Sequence, residues 1–391
     1  MMFIKLESKF TNHHQIVLGH EVNTLVYFSP VPWRSYPQRP HAFVQGFLSS
    51  GGARVVWVDP YPLRFPHFKD LRPRPYVTQV EPDDPRVTCV QPFSIPLEPL
   101  PMGSRLVRSL AWPPLRSRIA QAVDGPTRVA ILIGRPSTCA LAALRDIPHA
   151  WSGYDAMDDY PEFYSGRARR LCMNTERAIV RTVHTVVTSS TGLWNKFADA
   201  SARRVMLRNG FSMTGLPPLG PRDTSAPAVF GYVGCISQWF DWSFVLNLAH
   251  TLPQARVRLV GPVHGRVPAL PPNVELCPPC SHVDAIAHLR RFSVGIIPFV
   301  DTALTRAVDP IKYYAYRAMG LPIISTRFGD MRLSDRRQGV FFASSHQDFH
   351  DAALALTHST ITPTDVAAFR ETHDWSRRFE DAQFFSRVLP L

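Results

Sequence analysis

Short apolar runs of strand length alternate along the chain with stretches whose apolar positions recur at helical spacing. The runs Asn23–Ser29, Arg54–Asp59, Arg86–Val90, Arg128–Ile133, Val183–Thr188 and Val205–Leu207 predict strands, with helices over His41–Leu48 and Ala140–Leu144 between them. The rhythm restarts at Phe230–Val233. Asp241 is placed to cap a helix whose apolar face is Phe244, Val245, Leu248, Ala249 and Leu252. Further strands are predicted at Arg256–Val260, Val294–Pro298, Pro322–Ser325 and Val340–Phe342, and Ser281 is placed to cap a helix containing Val283, Ile286 and Leu289. Asp309–Pro310 opens a helix that Gly320 ends, with proline at the first helical position and glycine just past the last. Residues Thr364–Phe385 read as one further helix. Strand–helix alternation in both halves predicts an α/β protein of two parallel-sheet units. The Pro-, Gly- and Ser-rich stretch Asn209–Pro227 reads as a linker between them.

Composition narrows the class. At about 100–200 residues per domain, 391 residues suggest two or three domains. With 45% hydrophobic and 19% charged residues the chain has material for real cores, and wholesale disorder is excluded. No run reaches the ~18 apolar residues of a spanning helix, and the first residues lack the apolar core of a secretory signal. The expected location is the cytoplasm, with the inner face of the cytoplasmic membrane as a variant. Six cysteines are too sparse for a disulfide scaffold, and Cys277–Cys280, a lone CxxC, lacks the second pair a zinc site needs. No metal and no cofactor is expected.

A net charge of +12 attracts phosphate-bearing partners. The charge is dominated by arginine, with lysine only at 5, 9, 69, 196 and 312. Together with 37 prolines this points to a compositional bias, so charge alone carries little weight. The segment Met102–Val123 has Arg105, Arg108, Arg116 and Arg118, no acid, and interleaved apolar residues. It reads either as an ordinary amphipathic helix or as a contact with an anionic membrane. No recognised DNA- or RNA-binding signature accompanies the charge.

The richest stretch is Asp309–Thr326, DPIKYYAYRAMGLPIIST. Lys312 lies in the first turn of its helix, where free N–H groups and the positive dipole end already favour a phosphate. The segment resembles the donor-site helix of group 1 glycosyltransferases, P-L-K-x-x-E-Y-x-A-x-G-x-P. Pro310, Ile311, Lys312, Tyr316, Ala318, Gly320 and Pro322 match, and Ala315 stands where that family has a glutamate holding the donor ribose. Gly231–Asp241, Leu259–Pro262, Asn273–Ile286 with Val294–Phe299, and His373–Trp375 resemble further parts of the same family.

The resemblance implies a GT-B fold: two Rossmann-like domains facing a cleft, with a C-terminal helix crossing back. It divides the chain into an acceptor domain over 1–208, a linker over 209–228, a nucleotide-sugar domain over 229–363 and a returning helical segment over 364–391. It implies a UDP- or GDP-linked sugar donor held by Gly234, Ser237, Pro298, Asp309, Ile311, Lys312 and Tyr313, without a metal ion. The implied acceptor is a glycan, free or on a polyprenyl lipid, in exopolysaccharide or envelope synthesis. Asp158, in the acidic run Tyr154–Phe163 at a strand end, is the candidate general base. A strand-end aspartate has that role in the xanthan-type glucuronosyltransferase, which inverts. If the reaction retains instead, Asp158 becomes an acceptor-binding residue. Asp159, Arg39 and His41 are the other expected acceptor contacts. The missing glutamate at 315 leaves open a relative that binds glycan or partner enzymes without catalysis. A basic nucleic-acid-binding protein is the remaining alternative.

Overall fold

A computed structural model of the chain describes residues 22–61, 82–92, 97–98, 100, 102–123, 128–213, 216, 227–357 and 361–389. Most of the expected linker and the lysines at 5, 9 and 69 lie outside these residues. Two parallel sheets organise the molecule. The first contains β1 (Thr24–Phe28), β2 (Arg54–Val58), β3 (Val87–Val90), β4 (Val129–Ile133), β5 (Trp151–Ala156), β6 (Thr185–Thr188) and β7 (Arg203–Met206), in the order β3-β2-β1-β4-β5-β6-β7. The second contains β8 (Val229–Val233), β9 (Arg256–Val260), β10 (Val274–Cys277), β11 (Val294–Ile297), β12 (Ile323–Ser325) and β13 (Val340–Phe342), in the order β10-β9-β8-β11-β12-β13. Helices cover both faces, so the central strands are buried throughout and almost wholly apolar: β1 (TLVYF) and β4 (VAILI) are buried at all five positions. In register, Val26 of β1 sits beside Val56 of β2 and Ile131 of β4.

Each strand order reverses once, between β1 and β4 and between β8 and β11. Crevices at the carboxyl ends of such reversal points are where open α/β sheets take ligands. The chain therefore brings two ligand-binding edges to the same molecule.

Helix starts follow their expected caps. Asp241 accepts from the N–H of Phe244, and Ser281 from that of Asp284. Pro310 sits one residue earlier than expected, as the N-cap of the helix Ile311–Ala318, and Gly320 takes φ +68° just beyond its end. The 15-residue helix Gly166–Val180 has no counterpart among the expected elements, because its buried face includes Thr175 and Glu176 beside Ala168, Cys172 and Ile179. The burial of Glu176 is offset by Tyr154 Oη, 2.8 Å away, and Lys196 Nζ, 2.6 Å away.

The C-terminal segment is two α-helices, not one: Pro363–His373 and Trp375–Asp381. Asp374 between them is extended, and its carboxylate accepts from the backbone N–H of Ser376 and of Met213. The break turns Trp375, Phe379 and Phe384 back onto the first half, where Phe43 lies 5.2 Å, ring to ring, from both phenylalanines. No helix among the described residues is long and apolar enough to cross a membrane.

The halves also meet directly. Ser190 Oγ donates to the carbonyl of Ala307 at 2.6 Å, and Arg208 pairs with Asp330, whose carboxylate also accepts from the N–H of Thr191. Two ring contacts also join the halves: Phe163 and Trp239 stand 6.2 Å apart, and Tyr36 and His282 6.3 Å apart.

Candidate active site

A cavity of about 250 Å³ lies between the two sheets. Gln38 and Arg39, after β1, and Met157, Asp158 and Phe163, after β5, form its first wall. Trp239, after β8, Phe299, after β11, and residues of the run Leu304–Lys312 form the second. Asn209 lies at the junction. Both walls are thus built from carboxyl ends of strands, as the two strand-order reversals require.

Lys312 is the cation of the second wall. Its ammonium lies over the rings of Tyr232, 5.0 Å from the centroid, and Phe299, 5.4 Å away. It forms no ion pair with a carboxylate among the described residues. Burial without a counter-charge pushes its pKa down to about 8. The helix it begins has no side-chain cap, and its first two residues, Ile311 and Lys312, line the cavity at the positive end of the helix dipole. A full charge and a helix start therefore converge on one place, and both favour an anion.

Gly234 makes room for this lysine. A Cβ at position 234 would stand 2.7 Å from Lys312 Cε and 2.8 Å from Nζ, and the residue has φ +144°. Gly261 is constrained in turn: its Cβ would meet the carbonyl oxygen of Gly234 at 2.3 Å, at φ +136°. The loops after β8 and β9 thus pack backbone to backbone, and only glycine fits at either contact.

Asp158 is the half-buried carboxylate of the first wall. Its pKa is raised to about 7, first by burial and then by the charge of Asp155, against the opposing pull of Arg39. At neutral pH a substantial fraction is ionised, and the ionised form is basic enough to take a proton from a hydroxyl.

Beneath the cavity runs a buried polar chain. Tyr27 Oη donates to Asp155, which receives Arg39 through Nε at 2.8 Å and Nη2 at 2.7 Å. Arg39 Nη1 donates to the carbonyl of Leu207 at 2.7 Å and reaches Asn209 Oδ1 at 3.4 Å. Asn209 crosses to the second half: its N–H donates to Asp309 Oδ2 at 2.7 Å, and its Nδ2 to the Asp309 carbonyl at 2.6 Å. Tyr314 Oη donates to both carboxylate oxygens of Asp309. Burial raises the pKa of Asp309 to about 6, moderated by the Asn209 N–H and by Arg208.

The expected site residues thus separate by position. Asp158, Lys312, Asp309, Ile311 and Arg39 all line the cavity. Arg39 is there as a buried partner of Asp155, with its guanidinium occupied, and Asp309 as a clamp on Asn209. Gly234 stands against Lys312. The carbonyl of Ser237 accepts from Phe240 in a turn before Trp239, and that of Pro298 accepts from Asp241. Tyr313 packs against Tyr314 and Phe369 in the core of the second half. His41 is wedged against Trp33 and Trp57, with Nε2 2.9 Å from the Trp33 carbonyl oxygen. Asp159 pairs with Lys196 at 2.7 Å. His41, Asp159, Tyr313, Ser237 and Pro298 are not part of the cavity wall.

Asn209, Phe163, Trp239 and Phe299 line the cavity without having been expected as individual site residues. Trp239 and Phe163 carry a usable signal in the sequence, a large aromatic in the loop after a strand. Asn209 carries none, because it begins a stretch with the composition of a linker.

Neither protein-family models nor curated proteins give a sequence match. Solved structures do match in fold. Sucrose-phosphate synthase from Thermosynechococcus elongatus aligns over 94% of this chain and 99% of its own, with a TM-score of 0.65 at 12% identity. An α,α-trehalose-phosphate synthase (UDP-forming) from Burkholderia vietnamiensis aligns over 94% and 99%, with a TM-score of 0.60 at 12% identity. Anabaena HepE, solved in complex with UDP and glucose, aligns over 94% and 100%, with a TM-score of 0.56 at 15% identity. The chain has the GT-B fold, two Rossmann-like α/β domains with a returning C-terminal segment.

Proposed function

We propose that the chain is a glycosyltransferase that moves a sugar from a UDP- or GDP-linked donor to a hydroxyl of a glycan, free or polyprenyl-linked, in envelope or exopolysaccharide synthesis. The single observation that carries this reading is the opposition, across one cavity, of an unneutralised lysine at an uncapped helix start and a carboxylate with a pKa near 7. The first suits a diphosphate, the second a nucleophile that must lose a proton. The likeness in fold to proteins whose names specify nucleotide-sugar chemistry supports the same reading. With such donors, the cytoplasm is the expected place of work.

In this mechanism the donor diphosphate lies against Lys312, the N–H groups of Ile311 and Lys312, and the Gly234 loop. The acceptor hydroxyl enters from the first wall and gives its proton to Asp158. Its oxygen forms a bond to the anomeric carbon as the bond from that carbon to the diphosphate breaks. The charge that develops on the leaving oxygen falls on Lys312, an interaction stronger in the transition state than in the ground state. Attack from the face opposite the diphosphate inverts the anomeric centre. Phe163 and Trp239 line the cavity in ring contact and limit water, which would otherwise hydrolyse the donor.

A thermal-shift screen against UDP, GDP, ADP, TDP and CMP tests donor recognition, since a ligand bound only by the folded state raises Tm. A selective rise with UDP or GDP is expected, and no rise with any nucleotide would refute the donor site. A second reading, binding without turnover, draws on Ala315, which leaves no carboxylate at that point of the donor helix. Nucleotide binding with no transfer to any glycan acceptor would favour it.

A further inference from the structure

The helix Gly166–Val180 carries a surface that the cleft chemistry does not use. Its buried face includes Ala168, Cys172, Thr175 and Ile179. Arg167, Arg170, Asn174, Arg177 and Arg181, the last just past the helix end, recur at alternating steps of three and four, and all five are exposed. At 3.6 residues per turn they fall within about 80° of the helix circumference, on the side away from the buried row. At 1.5 Å per residue the four guanidinium groups are strung along about 21 Å.

None of these four arginines forms an ion pair among the described residues. The one acid of the helix, Glu176, is buried and bonded to Tyr154 and Lys196, so the exposed face is purely cationic. That arrangement works against the helix itself. Arg167, Arg169 and Arg170 crowd the first turn, where the dipole favours anions, and Arg167 repels Arg170 as Arg177 repels Arg181. Arg169 alone among them is neutralised, by Glu162 on the flank.

The row is continuous with the cavity. Phe163 of the first wall stands four residues before Arg167. Between them Tyr164 Oη accepts from Arg135 Nη2 at 2.5 Å, so a half-buried cation from the end of β4 joins the near end of the row. Because β5 and β6 are parallel, the helix between them runs from the carboxyl edge, where Asp158 lies, to the amino edge. The row therefore leads from the acceptor side of the cavity outward over the first half.

We propose that this row binds an anionic polysaccharide through the uronate carboxylates of an extended chain of sugars. Guanidinium groups take carboxylates bidentately, and a single file of cations suits a single chain of sparse charge. Duplex DNA carries about one charge per 1.7 Å, or about 12 over 21 Å, roughly three times what four arginines offer. A single nucleic-acid strand is held by stacked aromatic side chains and a bilayer by apolar ones that enter it, and none of the five exposed positions is aromatic or apolar. The binding does not depend on glycosyl transfer; that the bound chain is the acceptor, with its end at Asp158, rests on the transfer proposed above.

The test is calorimetric titration of the full chain with polygalacturonate fragments, a neutral glucan of equal length, a phosphodiester-linked glycan polymer and a DNA duplex, at low and moderate salt. Polygalacturonate is expected to bind most tightly and to weaken with salt. The quadruple variant Arg167→Gln, Arg170→Gln, Arg177→Gln, Arg181→Gln should lose at least about tenfold, at roughly twofold per arginine. Arg169→Gln should bind as the parent does. Melting of the quadruple variant at or above the parent's temperature, with an unchanged nucleotide-induced shift, checks that it is folded. Equal affinity for the neutral glucan, or undiminished binding by the quadruple variant, would overturn the proposal. Tighter binding of the duplex or of the phosphodiester polymer would also overturn it and assign the row to phosphate. A nucleotide-induced shift without polygalacturonate binding refutes this inference alone, whereas polygalacturonate binding through the row without any nucleotide-induced shift supports it and refutes the donor site.

Discussion

Replacing Asp158 by asparagine should abolish transfer and, above neutral pH, stabilise the protein. The carboxyl is held at a pKa of about 7 against an ordinary 3.8, chiefly because burial penalises its charge. A raised folded-state pKa favours the folded protein fully below the unfolded value and loses that contribution as pH rises through 7. The displacement is worth at most about 4 kcal/mol, and solvent screening of a half-buried group reduces this to about 2 kcal/mol. Asparagine keeps the shape without the charge. The variant should therefore melt about 3 °C above the parent near pH 8. Near pH 4 the gap should shrink to about 1 °C or less, because the folded aspartate is protonated and the unfolded one is close to half so. Transfer should fall by about 10²–10⁴, the usual worth of a positioned base. In the parent, the transfer rate should rise roughly tenfold between about pH 6 and pH 8 as the carboxylate ionises. Melting curves at the two pH values and a coupled nucleotide-release assay measure all of this. Near-normal transfer by the variant, or no gain in melting temperature near pH 8, would refute the assignment of Asp158 as a desolvated base.

Lys312→Gln should weaken UDP or GDP binding by about 10- to 100-fold in calorimetry, the usual worth of a hydrogen bond to a charged group. Parent affinity should also decline above about pH 8 as the lysine loses its proton, and equal affinity in both proteins would remove the lysine from the donor site. Gly234→Ala places a methyl 2.8 Å from Lys312 Nζ at a backbone angle that disfavours any side chain. It should cost about 1–3 kcal/mol of stability together with donor affinity, and lowered stability with unchanged affinity would show that the lysine is not the anchor. Arg39→Ala leaves Asp155 buried without its cation and should cost about 3–5 kcal/mol in denaturant melts, with Asp155→Asn in the same chain restoring part of the loss. Failure of that restoration would mean that the guanidinium acts through its contacts to Leu207 and Asn209 instead.

Some of these residues are legible in the amino-acid sequence alone. Lys312 stands out because three features coincide in one short run: a proline, a lysine at a helix start and a glycine past its end. Asp158 stands out because acids cluster where a strand ends. Arg39 and His41 are equally visible, yet both turn into the body of the first half, one onto Asp155 and the other between two tryptophans. Their residue types suggest chemistry, but whether a side chain faces a cleft or a neighbouring strand depends on partners more than one hundred positions away in the case of Arg39. The single helix expected over Thr364–Phe385 fails for a similar reason. Asp374 can continue a helix or cap a new one, and the N–H of Met213, far off in sequence, helps decide which.

The sequence by itself determined the elements and their alternation, since hydrophobic spacing and caps act within one or two turns. It also determined the lysine helix, whose proline, lysine and glycine act within two turns of one another. Tertiary structure alone decided that Asp158 and Lys312 share one cavity and that Asn209 fastens one half to the other. These depend on how strands order themselves within two sheets and how the sheets meet. Such choices are fixed by the burial of whole faces, which no local pattern records.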